Sequence, residues 1–299
     1  MSGLIFNYII RNLAKYTYKF LYPKSYKHNR RYWPFYQVTR NESGHIKQVF
    51  FRNQLIVDHE RTPLIQNRKC MLVATGPSTQ HLDAKHYQRS DIDYMGVNGA
   101  ITLPNIQFKY YVIIDHDFIR NRFDLVTKVL QMKCIFFTTA RCLDEILKKM
   151  HLADIRCDFK VIEIISAGKN EKFMGDTITG HEHQEHYFFH ENFGFSLNFQ
   201  DAIFDYYTVA YTAFQIIYGL GYEEIFLIGI DLTDLNQARF YESEQHKQPT
   251  LIHHHLDDIL KAFACAARVF NQKNKKVYNL SHISIIPHFP KVSITHGVE

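Results

Sequence analysis

MLVATGPSTQHLD, residues 71–83, is a short apolar run that breaks at Thr75-Gly76-Pro77-Ser78 and resumes with the letters of a helix start. Gly76 lets backbone approach a neighbour or a ligand closely, Pro77 fixes the entry to a helix, and Ser78 can cap it while offering a hydroxyl. A helix start that follows a parallel strand is also where a phosphate or sugar can meet free backbone N–H groups. The stretch has neither the three glycines of GxGxxG nor the Lys-Ser/Thr pair of a Walker loop. A plain strand-to-helix turn fits the same letters, so its meaning rests on what surrounds it.

From about residue 66 onward, short apolar runs alternate with helical patterns. CMLVAT, DYMGVN, KYYVIID, KCIFFTT, FKVIEII, EIFLIGIDL and KKVYNL read as strands, several apolar on both faces as parallel strands are. Helices are expected near Leu143–Met150, Ala202–Gly219 and Leu256–Phe270, where apolar residues recur at helical spacing. The alternation predicts an α/β fold built on a doubly wound, mostly parallel, Rossmann-like sheet. With 299 residues and 46% hydrophobic content, one large core is enough. Five cysteines without a CxxC pair suggest neither a zinc site nor a disulfide framework, and fit a reducing cytoplasm.

Residues 1–65 differ in texture and are expected to form a basic, aromatic region ahead of a catalytic domain at 66–299. Up to Asn41 there are eight Lys or Arg and no Asp or Glu, although the whole chain carries a formal charge of only +5. On a helical wheel Ile5, Ile9, Leu13, Tyr16 and Phe20 share one face, and Arg11, Lys15 and Lys19 another. Charges interrupt the apolar stretch and no small-residue cleavage site follows, which excludes a signal peptide; the segment is also too short and charged to span a bilayer. A helix of this kind either lies on an anionic membrane or packs on its own protein. The run KSYKHNRRYWPFY, residues 24–36, adds charge and interfacial aromatics and favours the membrane. A nucleic-acid arm is the third reading, without a helix-turn-helix, zinc-finger or RNP pattern to support it.

Polar residues collect where strands are expected to stop: Asn98 in VNGA, Asp115 and Asp117 in IIDHDF, and Gly229, Asp231 and Thr233 in GIDLT. Asn98 also suits a turn, and Asp115 or Asp117 a helix cap at Phe118. Asp-His-Asp matches the metal-binding DxD of sugar-nucleotide transferases as well, but three residues are an unspecific pattern.

The order LVATGPS, GVNGA and YTVAYTAFQIIYGLGYEEIFLIGIDLT resembles the bacterial sialyltransferases that use CMP-sialic acid. GIDLTDLNQARFYESEQHKQPTLI followed by KKVYNLSHISIIP is more similar still to the lipopolysaccharide-core Kdo (3-deoxy-manno-octulosonate) transferases that add a side-branch Kdo. The resemblance runs from Lys69 to Pro287. It implies a donor site in which Thr75, Gly76, Pro77, Ser78, Asn98, Thr208, Gly229, Asp231 and Thr233 contact the nucleotide sugar, with Tyr241 donating to the leaving phosphate. Thr233 stands where the relatives carry a second tyrosine, and Tyr206 where the sialyltransferases carry an arginine. A histidine ahead of the last large helix serves those enzymes as base; HHHLDD offers His253, His254 and His255 there, and spacing to Asp258 favours His253 over His255. Asp117 and Asp231 are the carboxylates to consider if no histidine serves. His181, His183, His186 and His190 suggest a polar lid over the acceptor, or a metal cluster.

The resemblance thus implies a Kdo transferase using CMP-Kdo, without a metal or other cofactor, acting on a lipid-A-linked oligosaccharide at the cytoplasmic face of the inner membrane of a Gram-negative bacterium. A lipooligosaccharide sialyltransferase is the alternative, and a non-catalytic nucleotide- or nucleic-acid-binding protein a second one. No nucleic-acid partner is expected, and a homo-oligomer is left open.

Overall fold

The computed structural model describes residues 16–61, 65–81, 89–181, 185–233, 239–242 and 252–293. Strands follow one another as β1 (Tyr36–Arg40), β2 (Ile46–Phe51), β3 (Gln54–Asp58), β4 (Lys69–Val73), β5 (Ile92–Val97), β6 (Tyr110–Ile113), β7 (Ile135–Thr139) and β8 (Asp158–Ile162). After these come β9 (Ile164–Ser166), β10 (Lys169–Glu171), β11 (Thr177–Thr179), β12 (Tyr187–His190), β13 (Phe193–Ser196), β14 (Ile203–Phe204), β15 (Glu224–Ile228) and β16 (Lys276–Asn279). The α-helices are α1 (His116–Asn121), α2 (Phe123–Leu130), α3 (Ala140–Leu147), α4 (Val209–Leu220) and α5 (Leu256–Gln272).

Ten strands form one sheet in the order β1-β2-β3-β8-β7-β6-β5-β4-β15-β16. From β3 to β16 neighbouring strands run parallel, whereas β1, β2 and β3 pair antiparallel. The expected α/β class and mostly parallel sheet are therefore present. Residues 36–58 also belong to this sheet, joined through the pairing of Val57 with Phe159. Of the amphipathic amino-terminal helix, residues 1–15 lie outside the described residues; 16–21 are helical, with Tyr16 and Phe20 exposed and Lys19 beside them. No helix among the described residues is long and apolar enough to cross a membrane.

Strand order reverses at β4, with β5 to β8 on one side and β15 and β16 on the other. The strand is buried on both faces: Cys70 and Leu72 join a core with α4 and α5, and Met71 and Val73 one with α1, α2 and α3. This double burial makes the strand read as a continuous apolar run. Helix α4 begins later than the expected Ala202, because Ile203-Phe204 pairs with β9 and Thr208 supplies the cap by accepting from Ala210 N at 3.3 Å. Asp115 caps α1 in the same way, taking Asp117 N at 2.8 Å.

The 3-10 segment Lys24–Arg31 is clamped to the body of the protein by Asn29 and by His28, whose Nε2 lies 2.8 Å from Lys172 O. Buried Asn29 donates to Gly175 O at 2.7 Å and accepts from Met174 N at 2.8 Å. Arg40 in β1 ties the same loop, donating to Glu163 Oε1 at 2.6 Å and to Phe173 O at 2.8 Å. Asn29→Ala strands a buried N–H and a buried carbonyl, so it is expected to lower folding stability by about 1–3 kcal/mol. Denaturant unfolding measures this, and a change under about 0.5 kcal/mol contradicts the clamp.

Candidate active site

The turn after β4 and the end of β15 hold each other. Ala74 N donates to Ile228 O at 2.9 Å and Gly76 N to Gly229 O at 2.8 Å. A Cβ on Gly76 would fall 2.4 Å from Asp231 Oδ2 and 2.6 Å from Gly229 O, so only glycine fits. Asp231, buried, accepts from Ser78 N at 2.8 Å through one oxygen and from Ser78 Oγ at 2.6 Å through the other. Ser281 completes the knot: its Oγ lies 2.7 Å from Ser78 Oγ and takes Gly229 N at 3.0 Å. The VYNLS motif thus closes the turn from behind. Ser78 and Asp231 face each other, and the surface left to a ligand is that of half-buried Thr75, Gly76 and Pro77.

Asn98 stands one strand away, at the end of β5. It takes a left-handed conformation, φ 46°, and opens the 3-10 turn Asn98–Thr102. Tyr111 fixes that turn by donating its hydroxyl to Asn98 O at 2.7 Å and accepting Ile101 N at 2.7 Å. Asn98 Oδ1 is buried and has no hydrogen-bond partner among the described residues.

Tyr241 lies on this turn. A Cβ on Gly99 would fall 2.2 Å from the Tyr241 ring, so the missing side chain at 99 is the tyrosine's seat. Phe118 meets the ring edge-on at 6.3 Å and the Arg122 guanidinium lies 5.3 Å from its centre. Tyr241 Oη is also buried, with the Arg239 side chain as its polar neighbour. Burial pushes its pKa up to about 12 against the pull of neighbouring Arg239, so the phenol stays a proton donor at neutral pH.

Of the three histidines, the structure singles out His255, where spacing favoured His253. His255 Nδ1 lies 3.7 Å from Asp258 Oδ2, and its ring stacks on Tyr207 with centroids 3.4 Å apart and planes 5° from parallel. His253 and His254 are exposed and meet each other at 3.9 Å. A helix beginning at Leu256 points side chains 255 and 258 the same way, which counting outward from Asp258 does not reveal.

Asp115, His116 and Asp117 each bring one ligand atom to within 4.8 Å of the others, as a DxD would; Asp115 is engaged as a cap, and Arg120 lies 3.3 Å from Asp117. Thr208 is a helix cap, Tyr206 accepts Gly194 N at 2.7 Å, and Thr233 is half-buried at the edge of the described residues. His183 lies outside the described residues; His181 packs on Tyr187, His186 lies 3.9 Å from Asp201, and His190 3.5 Å from Glu191, so these three have separate neighbours. Asp205, missed in the sequence, follows β14, which pairs with β9 outside the ten-stranded sheet. Burial raises its pKa, and the negative charge of Asp115 adds to the effect. Its only signal is a carboxylate closing the apolar run AIF.

Residues 190–292 match the family model described as 3-deoxy-D-manno-octulosonic acid transferase WaaZ. The resemblance carried by the later motifs is therefore found in the carboxy-terminal part of the chain, and by this match the chain is a glycosyltransferase. No curated protein matches the chain. Two solved structures are similar, both from Campylobacter jejuni. One is an α-2,3-sialyltransferase in apo form, with 12% identity and a TM-score of 0.40, covering 80% of this chain and 85% of that one. The other is the monofunctional α-2,3-sialyltransferase Cst-I, with 12% identity and a TM-score of 0.41, covering 78% and 84%.

The knot at Asp231 carries a direct expectation. Asp231→Asn turns one acceptor into a donor facing the Ser78 donors, and should cost roughly 2–3 kcal/mol of stability. A thermal or urea melt measures this. A melt like the parent's would mean that the carboxylate faces a ligand instead of the turn.

Proposed function

We propose that this glycosyltransferase moves Kdo from CMP-Kdo to the inner core of a lipid-A-linked oligosaccharide. The observation that carries the reading is the buried, unpartnered Asn98 Oδ1 together with the buried Tyr241 Oη beside Arg239, next to the turn at the carboxyl ends of β4 and β5. Buried polar atoms are almost always satisfied, so an unpartnered amide oxygen and a buried phenol at the carboxyl end of the sheet suit a ligand with both a donor and an acceptor. A CMP-linked acidic sugar has both: amino and hydroxyl groups for Asn98, and phosphate oxygens for Tyr241. The family match over residues 190–292 supports Kdo as the sugar.

In this reading the bond from the anomeric carbon to the phosphate oxygen breaks through an oxocarbenium-like state, and CMP leaves with the electron pair. Tyr241 donates a hydrogen bond to the departing phosphate, and Arg122 and Arg239 beside it favour the growing negative charge. The acceptor hydroxyl attacks the same carbon and its proton passes to His255, whose imidazole nitrogen can act as a general base. Neither step calls for a metal ion. A CMP-sialate donor would use the same groups, and the sequence resemblance to sialyltransferases keeps that sugar as the second reading.

The amino-terminal segment supports a place on an anionic membrane from the cytoplasmic side. Phe20 is 92% exposed and Tyr16 74%, and Lys19, Lys24 and Lys27 are exposed around them. The acceptor's lipid is in that membrane, so the segment raises encounter with it. Deleting residues 1–22 is expected to release the protein from anionic vesicles in a flotation assay while turnover on a delipidated acceptor persists. Retained flotation would contradict this role.

The transfer itself is tested by incubating the chain with CMP-Kdo or CMP-sialate and a truncated lipooligosaccharide, then reading product mass. A Kdo adduct is expected, a sialic acid adduct selects the second reading, and the absence of both overturns the function. CMP should raise the Tm and UDP or ADP much less, with the shift lost in Asn98→Ala. His255→Ala should lower kcat by roughly two to four orders of magnitude and His253→Ala by a few-fold at most. The reverse ranking moves the base to His253.

A further inference from the structure

Tyr207 is an anomaly of backbone and surface at once. It has φ 61°, a conformation that bulky residues seldom adopt, and it stands between the end of β14 and Thr208, the cap of α4. Its neighbour Tyr206 is packed among Phe193, Phe204 and Tyr211, whereas the Tyr207 side chain remains 49% exposed. Strain of this kind persists where the surroundings impose it, and it clusters at functional positions. Its geometric result is to lay the phenol ring flat on the imidazole of His255, at 3.4 Å and 5°.

We propose that Tyr207 is a positioning residue for His255. This rests on the transferase reading above. Two contacts define the imidazole: the Tyr207 face sets the plane of the ring, and Asp258, 3.7 Å from Nδ1, sets its rotation within that plane. The backbone of residue 255, at the cap of α5, fixes where the ring starts. With Nδ1 turned to the carboxylate, Nε2 on the opposite edge is presented to an acceptor hydroxyl, and an imidazole already oriented loses less freedom on reaching the transition state. The stack also links the residue just before α4 to the cap of α5, so the two helices whose starts border the site share one contact. His253 and His254, which touch each other, have no such platform.

The ring, and not its hydroxyl, is what the role needs. Tyr207→Phe should therefore keep kcat within about threefold, while Tyr207→Asn should lower kcat at least about tenfold with the donor KM little changed. Asparagine takes the left-handed conformation readily, so this variant removes the aromatic face without adding backbone strain. Tyr207→Ala serves as a second variant if the first melts early. In the full chain with isotope-labelled histidine rings, the His255 signals are assigned by their disappearance in His255→Gln. They should lie upfield of those of exposed histidines in the parent and in Tyr207→Phe, from the ring current of the stacked face, and move to ordinary positions in Tyr207→Asn. Full kcat in Tyr207→Asn, an unmoved His255 signal, or a Tyr207→Phe as slow as Tyr207→Asn would each overturn the role. A parent chain that transfers no sugar overturns the transferase reading and the role with it. The two failures are distinguishable, because the resonance shift is read on the free protein.

Discussion

The Asp231 carboxylate is the constraint on which the rest of the site depends. Buried beneath the turn after β4, it accepts two hydrogen bonds from Ser78 and so fixes the path of the chain between strand and helix. Gly76 has to be a glycine because Asp231 is there, and Gly229, at φ 77°, has to be one because Thr79 and Ala74 crowd it. A buried carboxylate without donors would be costly, so carboxylate, serine and glycines stand or fall together. What this arrangement leaves open is the outer surface of the turn, next to Asn98 and Tyr241. A polar knot inside thus shapes an unsatisfied polar surface outside.

The parallel strands were legible because they are apolar on both faces, and α5 because its apolar residues keep a helical period. Strands β1, β2 and β3 were not, because YQVTR and QLIVD mix polar and apolar residues as half-covered strands do, and the basic charge around them drew the reading toward a separate region. For the site, sequence pointed to the correct end of the sheet but could not say which way a side chain faces. Ser78 and Asp231 were read as ligand contacts, and the structure turns them toward each other. His253 was preferred by counting to Asp258, and the helix start pairs His255 instead. Asp205 gave little pattern to read, since its backbone is held by Ile165 in β9, distant in sequence.

Charge at the mouth is organised by which groups retain partners. Asp115 is held as a cap and Glu242 lies 3.0 Å from Arg239, whereas Arg122 spreads its charge over the Tyr241 ring and also meets Asp124. The two helices that begin at Val209 and Leu256 add the positive ends of their dipoles to the same side. The carboxylates are thereby occupied or raised in pKa, and cationic groups surround the tyrosine, a balance suited to an anionic ligand.

The ten-stranded sheet also has to end somewhere, and an open strand edge invites pairing with another molecule. At one edge β1 carries Arg40, turned to Glu163, and its register with β2 slips between Thr39 and Arg40. At the other edge β16 is four residues long, and Lys291 bridges back to Asn279. A bulge with a bound arginine on one side and a short, covered strand on the other make poor templates for a foreign strand. Neither edge of the ten-stranded sheet is thus a ready place for a second copy to extend it.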